Sequence, residues 1–307
     1  MGYRVIVIAT ASKLSLKNKN FLYSPIDGKS ISVPIEDISV IVLETHQVSI
    51  TNALLAKLSE LNIVLFSCDE KHIPCGVYLP FHQHSRYSLM AHLQSSWSEP
   101  FKKQIWQKII IQKIKNQAYC LRYSENENYK YIETMALYVK SGDSTNVESS
   151  CAKAYFEYLF APFNRRDEED WRNKALNYGY SLIRGAIARS LVSYGFIPAF
   201  GLHHKNQLNA FNLADDIIEP FRAFVDVVVW EMYQESYVDI CERKQRFIKE
   251  DKNKLYEFFS VETIIDGHKT TLLNACDIVV QSLSNATKEK DSTELLLPSL
   301  DIDDEKL

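Results

Sequence analysis

The chain lacks any apolar run of the roughly 18 residues that a membrane-spanning helix needs. Its apolar start, Met1-Gly2-Tyr3-Arg4-Val5-Ile6-Val7-Ile8, is short and has no small-residue cleavage site. It reads as a strand, not a signal peptide, so a cytoplasmic setting without membrane contact is expected. Cysteine pairing is also missing. The six cysteines are scattered and no two have CxxC spacing. Cys68, His72 and Cys75 lie near one another, but no second half completes a zinc cluster. Free thiols of a reduced protein are the expectation. There is no P-loop lysine motif, no GxGxxG after a strand and no GxSxG elbow. Those absences exclude nucleotide-driven motors, Rossmann dehydrogenases and standard serine hydrolases.

A further absence is local. Residues 101–122 contain no acid, yet carry Lys102, Lys103, Lys108, Lys113, Lys115 and Arg122. The formal net charge of −4 conceals this. Seven acids against three lysines in the last twenty residues supply the whole −4, and the remaining body is neutral. A local basic stripe matters more to a polyanion than the global sum. The same helix can bury Phe101, Ile105, Trp106, Ile109 and Ile110 and leave its lysines as an ordinary wet face. Both readings stand on residue pattern.

The 307 residues suffice for one large domain or two smaller ones. The first eighty residues are β-rich. Tyr3 to Ala9 is a β-branched run, and Lys17-Asn18-Lys19-Asn20 marks a hairpin turn. Asp27-Gly28 marks another turn before Ile31. Runs at 38–43 and 63–66 have strand length, and Ala53, Leu54, Leu58 and Leu61 repeat at helical spacing between them. From about residue 86 the segments 101–122, 127–140, 146–160, 168–194, 213–240 and 268–286 are helical in pattern. The fold class is therefore α+β: a small β-rich N-terminal domain (1–82), a larger all-α domain (83–287) and an acidic, mobile tail (288–307).

The densest chemistry lies between Gly201 and Arg222. It holds His203, His204, Asp215, Asp216, Glu219 and Arg222. Imidazole with carboxylate suits a divalent metal, and nearby cations suit an anionic substrate. Asp215, Asp216 and Glu219 fall on roughly one helical face, with Pro220 expected to kink the helix. The alternative is an acidic first turn favoured by the helix dipole, with Asn212 as its cap. His203 and His204 precede it in a loop. Farther back, Thr145-Asn146-Val147-Glu148 fits a capping box, in which Glu148 returns to the cap N–H.

Several motifs together resemble one family. They are Trp106-Gln107-Lys108-Ile109 with Lys113 to Gln117, Glu148 followed by Ala152 and Tyr155-Phe156, and Ala175 to Tyr180 with Arg184-Gly185. Gly201-Leu202-His203-His204 and Leu213 to Arg222 complete the set. In this order they resemble the CRISPR-associated integrases of spacer acquisition, in the variety that accompanies type II effectors. The resemblance runs to about residue 287. It implies a β-strand domain used for dimerisation and DNA contact, ahead of a helical catalytic domain. It also implies a homodimer, a small nuclease-like CRISPR-associated partner and other type II CRISPR proteins, with spacer duplex and repeat DNA as substrates. Its metal ligands map onto Glu148, His204 and Glu219, for Mg²⁺ or Mn²⁺. Asp215, Asp216, His203 and Arg222 then support the ligands, and Lys102, Lys108, Lys115 and Arg184 contact DNA. The implied reaction is attack of a DNA 3′-hydroxyl on a phosphodiester, with hydrolysis as its side reaction. A structure-selective nuclease for branched DNA and a non-catalytic DNA-binding scaffold are the competing readings.

Overall fold

The computed structural model describes residues 4–70, 72–80, 87–237 and 247–300. The strand-rich part contains β1 (Arg4–Ile8), β2 (Ser12–Lys17), β3 (Asn20–Pro25), β4 (Ile31–Pro34), β5 (Ile38–Leu43), β6 (Val48–Ile50), α1 (Asn52–Glu60), β7 (Val64–Cys68) and β8 (Pro74–Tyr78). They form two four-stranded sheets, ordered β1-β5-β7-β8 and β4-β3-β2-β6. The expected hairpin at Lys17–Asn20 joins β2 and β3. The first sheet is parallel from β1 through β5 to β7, and β8 closes it antiparallel.

That first sheet is buried on both faces. Successive side chains of a strand point to opposite sides. Ile41 of β5 and Leu65 of β7 pack with Leu14, Phe21, Leu54 and Leu58 of the second sheet and α1. Val40, Val42, Val64 and Phe66 join the core of the helical part instead. Two-sided burial explains why these strands read as continuous apolar runs in the sequence.

The helical part comprises α2 (Tyr87–Ser95), α3 (Glu99–Tyr123), α4 (Tyr129–Met135), α5 (Val147–Phe160), α6 (Trp171–Ser193), α7 (Asn212–Ile217), α8 (Arg222–Tyr237), α9 (Lys249–Glu257) and α10 (Leu272–Glu289). None is long and apolar enough to cross a membrane among the described residues. Ser98 caps α3 through its side chain, and a proline follows in the first turn. The buried stripe of α3 includes Phe101, Ile105, Trp106, Ile109 and Ile110, as the pattern predicts. It continues through Lys113, Asn116 and Gln117, which the pattern did not single out.

Two expectations are corrected here. The C-terminal part is not purely helical: β9 (Glu262–Ile265) and β10 (His268–Thr271) form an antiparallel hairpin ahead of α10. The segment 268–271, read as helix, is its second strand. Thr271 then starts α10, its side chain accepting from the Asn274 N–H. The acidic tail is not loose as far as it is described. Leu295 and Leu300 are buried, and Ser299 pairs with Ile264 of β9. The apolar Leu295-Leu296-Leu297 run supplies the burial that its charges conceal. Residues 301–307, with most of the acids, and the expected domain boundary at 82–83 lie outside the described residues.

The two parts meet at Gly185 of α6. A Cβ there would lie 2.1 Å from Cε1 of Phe66 on β7. Only a glycine lets the helix approach the sheet so closely. Phe66 is a fully buried ring, 1 % exposed. Gly185→Ala should therefore destabilise the protein by about 1–3 kcal/mol through overpacking. Thermal unfolding checks this: Phe66→Leu added to the same chain should restore part of the loss, and an unshifted midpoint in the single variant would mean the contact is not tight.

Candidate active site

The kinked acidic segment is built as expected. α7 ends at Ile217, and Glu219–Phe221 forms a single 3-10 turn before α8 begins at Arg222. Proline cannot donate its backbone nitrogen, so the ladder breaks there. The Pro220 carbonyl accepts from Asn116 Nδ2 of α3 at 2.7 Å. Asn212 is not the cap. It is the first residue of α7, and its side-chain amide donates to the carbonyls of Ala199, Asn206 and Asn209.

Glu219 is 6 % exposed. Its Oε1 accepts from Arg222 Nε at 2.9 Å. Lys113 Nζ lies 2.6 Å from its Oε2, off the hydrogen-bonding direction, so this buried oxygen has a counter-charge and no aligned donor. Burial pushes the Glu219 carboxyl upward, but Arg222 and Lys113 outweigh it and hold the group down at about 2. It is thus ionised in the folded protein.

Glu148 reaches the same ammonium from α5. Lys113 Nζ donates to Glu148 Oε1. The capping box does not form. Asp143 takes that role, accepting the N–H groups of Val147 at 2.9 Å and Glu148 at 3.0 Å. Asn146, left-handed at φ 53°, makes no side-chain cap bond. With its backbone served by Asp143, the Glu148 side chain is released toward Lys113.

The loop before α7 is organised by one buried carboxylate. Asp216 has no solvent exposure. It accepts the backbone N–H groups of Leu202, His203 and His204, and it pairs with His204 Nδ1 at 2.7 Å. Gly201 makes this possible, since a Cβ would come 2.4 Å from the His204 carbonyl and 2.7 Å from Asp216 Oδ2. With Nδ1 engaged by Asp216, Nε2 is the ring nitrogen left for a ligand. The hydrogen bond that Nδ1 makes to Asp216 is the main cause of a raised His204 pKa, against the opposing effect of burial. The charges of Asp216, Glu219 and Asp215 raise it further.

Trp106 packs against both histidines, whose own rings meet edge-on at 5.7 Å. His203 stacks flat on the indole at 4.3 Å between centroids, and His204 meets it edge-on at 5.8 Å. Asp215 faces elsewhere: Arg184 Nη2 bonds its Oδ2 at 3.0 Å, and Asn209 Nδ2 bonds the same oxygen at 2.6 Å.

The structure therefore joins Glu148 and Glu219 through Lys113, and joins His204 to Asp216. Among the described residues no three His, Cys, Asp or Glu side chains form a ready-made metal cage. The donors nevertheless suit a divalent cation. Two carboxylates already share one cation, a buried oxygen of Glu219 lacks an aligned donor, and His204 has its outer nitrogen fixed. Lys113 is the group that sequence reading missed. It was taken as one lysine of a basic stripe, although its spacing of four after Ile109 puts it on the buried side.

The expected DNA contacts divide. Lys108 is turned inward, donating to the carbonyls of Ser292 at 2.8 Å and Thr293 at 3.2 Å. It holds the C-terminal segment rather than facing solvent. Arg184 is engaged by Asp215 and Asn209. Lys102 pairs with Glu99 one turn before it. Lys115 is exposed and lines, with Gln112, Tyr119, Arg122 and Glu133, a surface groove of about 320 Å³.

A two-sheet unit leading into helices that gather carboxylates, an imidazole and cations defines a class of nucleic-acid enzyme scaffold. Sequence comparison names it. Residues 5–256 match the family described as CRISPR associated protein Cas1. The CRISPR-associated endonuclease Cas1 of Neisseria meningitidis serogroup C is 38 % identical over 301 residues, covering 98 % of this chain and 97 % of that protein. The chain belongs to the Cas1 family. Its fold matches a casposase bound to integration product with a TM-score of 0.76 at 16 % identity, over 99 % and 96 % of the two chains. It also matches a chain of a Cas6-RT-Cas1–Cas2 complex, with a TM-score of 0.70 at 19 % identity, over 95 % of this chain and 36 % of that one.

Asp216 supplies a direct test. In metal-free buffer, Asp216→Asn should lower the His204 titration midpoint, followed by imidazole NMR. A raised folded pKa means that protonated His204 adds stability below the unfolded value of 6.5, and that this is lost as pH rises through the folded value. That slope should flatten in the variant. Overall stability should fall by about 1–3 kcal/mol, because backbone N–H groups lose an acceptor. An unchanged midpoint would show that Asp216 does not govern the ring.

Proposed function

We propose that the protein is a divalent-metal-dependent DNA integrase and endonuclease. It inserts short duplex spacers into a CRISPR repeat array by transesterification. The observation that carries this reading is the pair of carboxylates, Glu148 and Glu219, gathered around one cation, with His204 held by Asp216 on the loop before α7. Family membership supplies the reaction class, and the Neisseria relative bears the name of an endonuclease. A phosphodiester replaces a phosphodiester, so no high-energy cofactor is needed.

Glu148, His204 and Glu219 would hold Mg²⁺ or Mn²⁺. When bound, the metal would lower the pKa of the attacking 3′-hydroxyl and neutralise charge on the leaving oxygen. The remaining steps belong to the chain. Arg222 keeps the Glu219 carboxylate oriented and ionised. Asp216 holds Nδ1 of His204, which fixes the tautomer and aims the ring. Trp106 packs against both His203 and His204 and supports their rings. Lys115, in its groove beside α3, would meet a phosphate. Activity as a homodimer with DNA and a small nuclease-like CRISPR-associated partner is part of this reading, supported by the fold shared with a chain of a Cas1–Cas2 assembly.

The test is strand transfer of a short duplex into a repeat-bearing plasmid, with the partner protein present. Glu148→Ala, His204→Ala and Glu219→Ala should each lower transfer on the order of 10²-fold or more. Full activity in any of them would remove that residue from the site. Cleavage of branched DNA without transfer, independent of a free 3′-hydroxyl, would favour the plain nuclease instead.

The divided basic helix gives a second expectation. Lys115→Glu should weaken DNA binding and reduce its salt dependence by about one counterion. Lys108→Glu should act mainly on stability, since its ammonium serves the carbonyls of 292 and 293. Titrations of both variants at several salt concentrations, with thermal unfolding alongside, check this. Equal salt slopes for Lys115→Glu and the parent would place DNA on another face.

A further inference from the structure

Lys113 has an odd position for a lysine. It lies in the buried stripe of α3, 5 % exposed, with its ammonium against two carboxylates from different elements. Glu148 is presented by the first turn of α5, and Glu219 by the 3-10 turn between α7 and α8. Among the described residues, no other side chain bonds both acids. Glu219 has a second partner in Arg222, and no hydrogen bond links Arg222 with Glu148 among the described residues. Without an intervening cation, the buried Glu219 and the partly exposed Glu148 would face each other as like charges, and the elements carrying them would be pushed apart.

The charges there already balance. Lys113 and Arg222 offset Glu148 and Glu219. A divalent ion entering between the same carboxylates would meet the ammonium within contact distance and be repelled by it. A lysine is suited to giving way, being a point charge on a flexible four-carbon stem. A cavity of about 220 Å³ opens at this cluster, lined by Lys113, Glu148, Glu219 and Arg222 themselves as well as by Arg165 and Asp226. The stem has space to swing into it, where Asp226 is already held by the hydroxyls of Tyr155 and Tyr180.

We propose that Lys113 is a built-in counter-cation. It holds Glu148 and Glu219 together before metal arrives and must be displaced from between them when metal binds. It is a positioning residue rather than a catalytic one, and it sets how tightly the site takes a divalent ion. This rests on the metal reading above for Glu148, His204 and Glu219.

The experiment measures Mn²⁺ binding and thermal stability of the full-length protein, without DNA. The chains compared are the parent, Lys113→Met, Lys113→Gln and Lys113→Arg. Lys113→Met should lower the metal-free Tm by about 5 °C or more, because Glu148 loses its cation and faces Glu219 with none between them. It should also bind Mn²⁺ about tenfold more tightly, and its Tm should rise more on Mn²⁺ addition than the parent's. Lys113→Gln should show the same direction, and stands in if the methionine chain does not fold. Lys113→Arg, which keeps the charge, should bind Mn²⁺ no better than the parent. Glu219→Ala should abolish uptake in either background. Mn²⁺ binding that is unchanged or weaker in both neutral variants, with the parent still binding, overturns the role of Lys113 alone. Absence of Glu219-dependent Mn²⁺ binding in every chain overturns the metal reading itself.

Discussion

Two carboxylates that would repel one another, Glu219 buried and Glu148 partly exposed, are brought against one buried lysine, which makes this tolerable. Removing one partner from a buried ion pair costs about 3–5 kcal/mol, because the other charge is left uncompensated. The contact of Lys113 with Glu148 and Glu219 is therefore a constraint on three elements at once: α3, the start of α5 and the turn after α7. It settles where those elements stand relative to one another, and it does so at the point where the chemistry is placed.

Much of the fold was legible because burial leaves a periodic trace. The parallel strands β5 and β7 bury both faces and so read as unbroken apolar runs. The hairpin of β2 and β3 was announced by its Lys-Asn-Lys-Asn turn. What escaped notice lacks such a trace. β9 and β10 are four residues each, and their sequence, Glu262 to Thr271, alternates too weakly to stand out from the helical pattern of α10 behind it. The end of the chain misled in the opposite direction. Its acids suggested a solvated tail, while Leu295 and Leu300 bury themselves against the helical core.

The candidate site was legible in its residue types and not in its pairings. Glu219 and Pro220 announced a kinked turn, and the turn is there. Glu148 looked like a cap because Thr145 sits three residues before it. Asp143 captures the same N–H groups instead, which sequence spacing alone does not arbitrate. The two adjacent histidines could not be told apart by position. A flat aromatic surface from α3 distinguishes them: His203 lies on the Trp106 ring, while His204 turns its Nδ1 to Asp216. Lys113 was hidden by its neighbours. A lysine among lysines reads as solvated, although the run Ile105, Ile109, Lys113, Gln117, Leu121 places it squarely on the buried stripe.

That stripe explains why the C-terminal segment belongs to the site. Asn116 follows Lys113 by three residues on the same helix. Its amide donates to the carbonyls of Pro220 at 2.7 Å and Pro298 at 3.0 Å, and its oxygen accepts the Leu300 N–H at 3.2 Å and Gln112 Nε2 at 2.9 Å. All of its bonding capacity is used and none of it meets water, a situation in which each bond is strong and each loss is costly. The Pro220 carbonyl lies in the 3-10 turn where the helix breaks, the same turn that carries Glu219 against Lys113. The same amide that quiets the broken turn also anchors residues 298–300. Lys108, one turn and a little earlier on α3, holds residues 292 and 293. The geometry of Glu219 is thus supported from a part of the chain nearly eighty residues away, through one helix that carries both the charge and the hydrogen bonds.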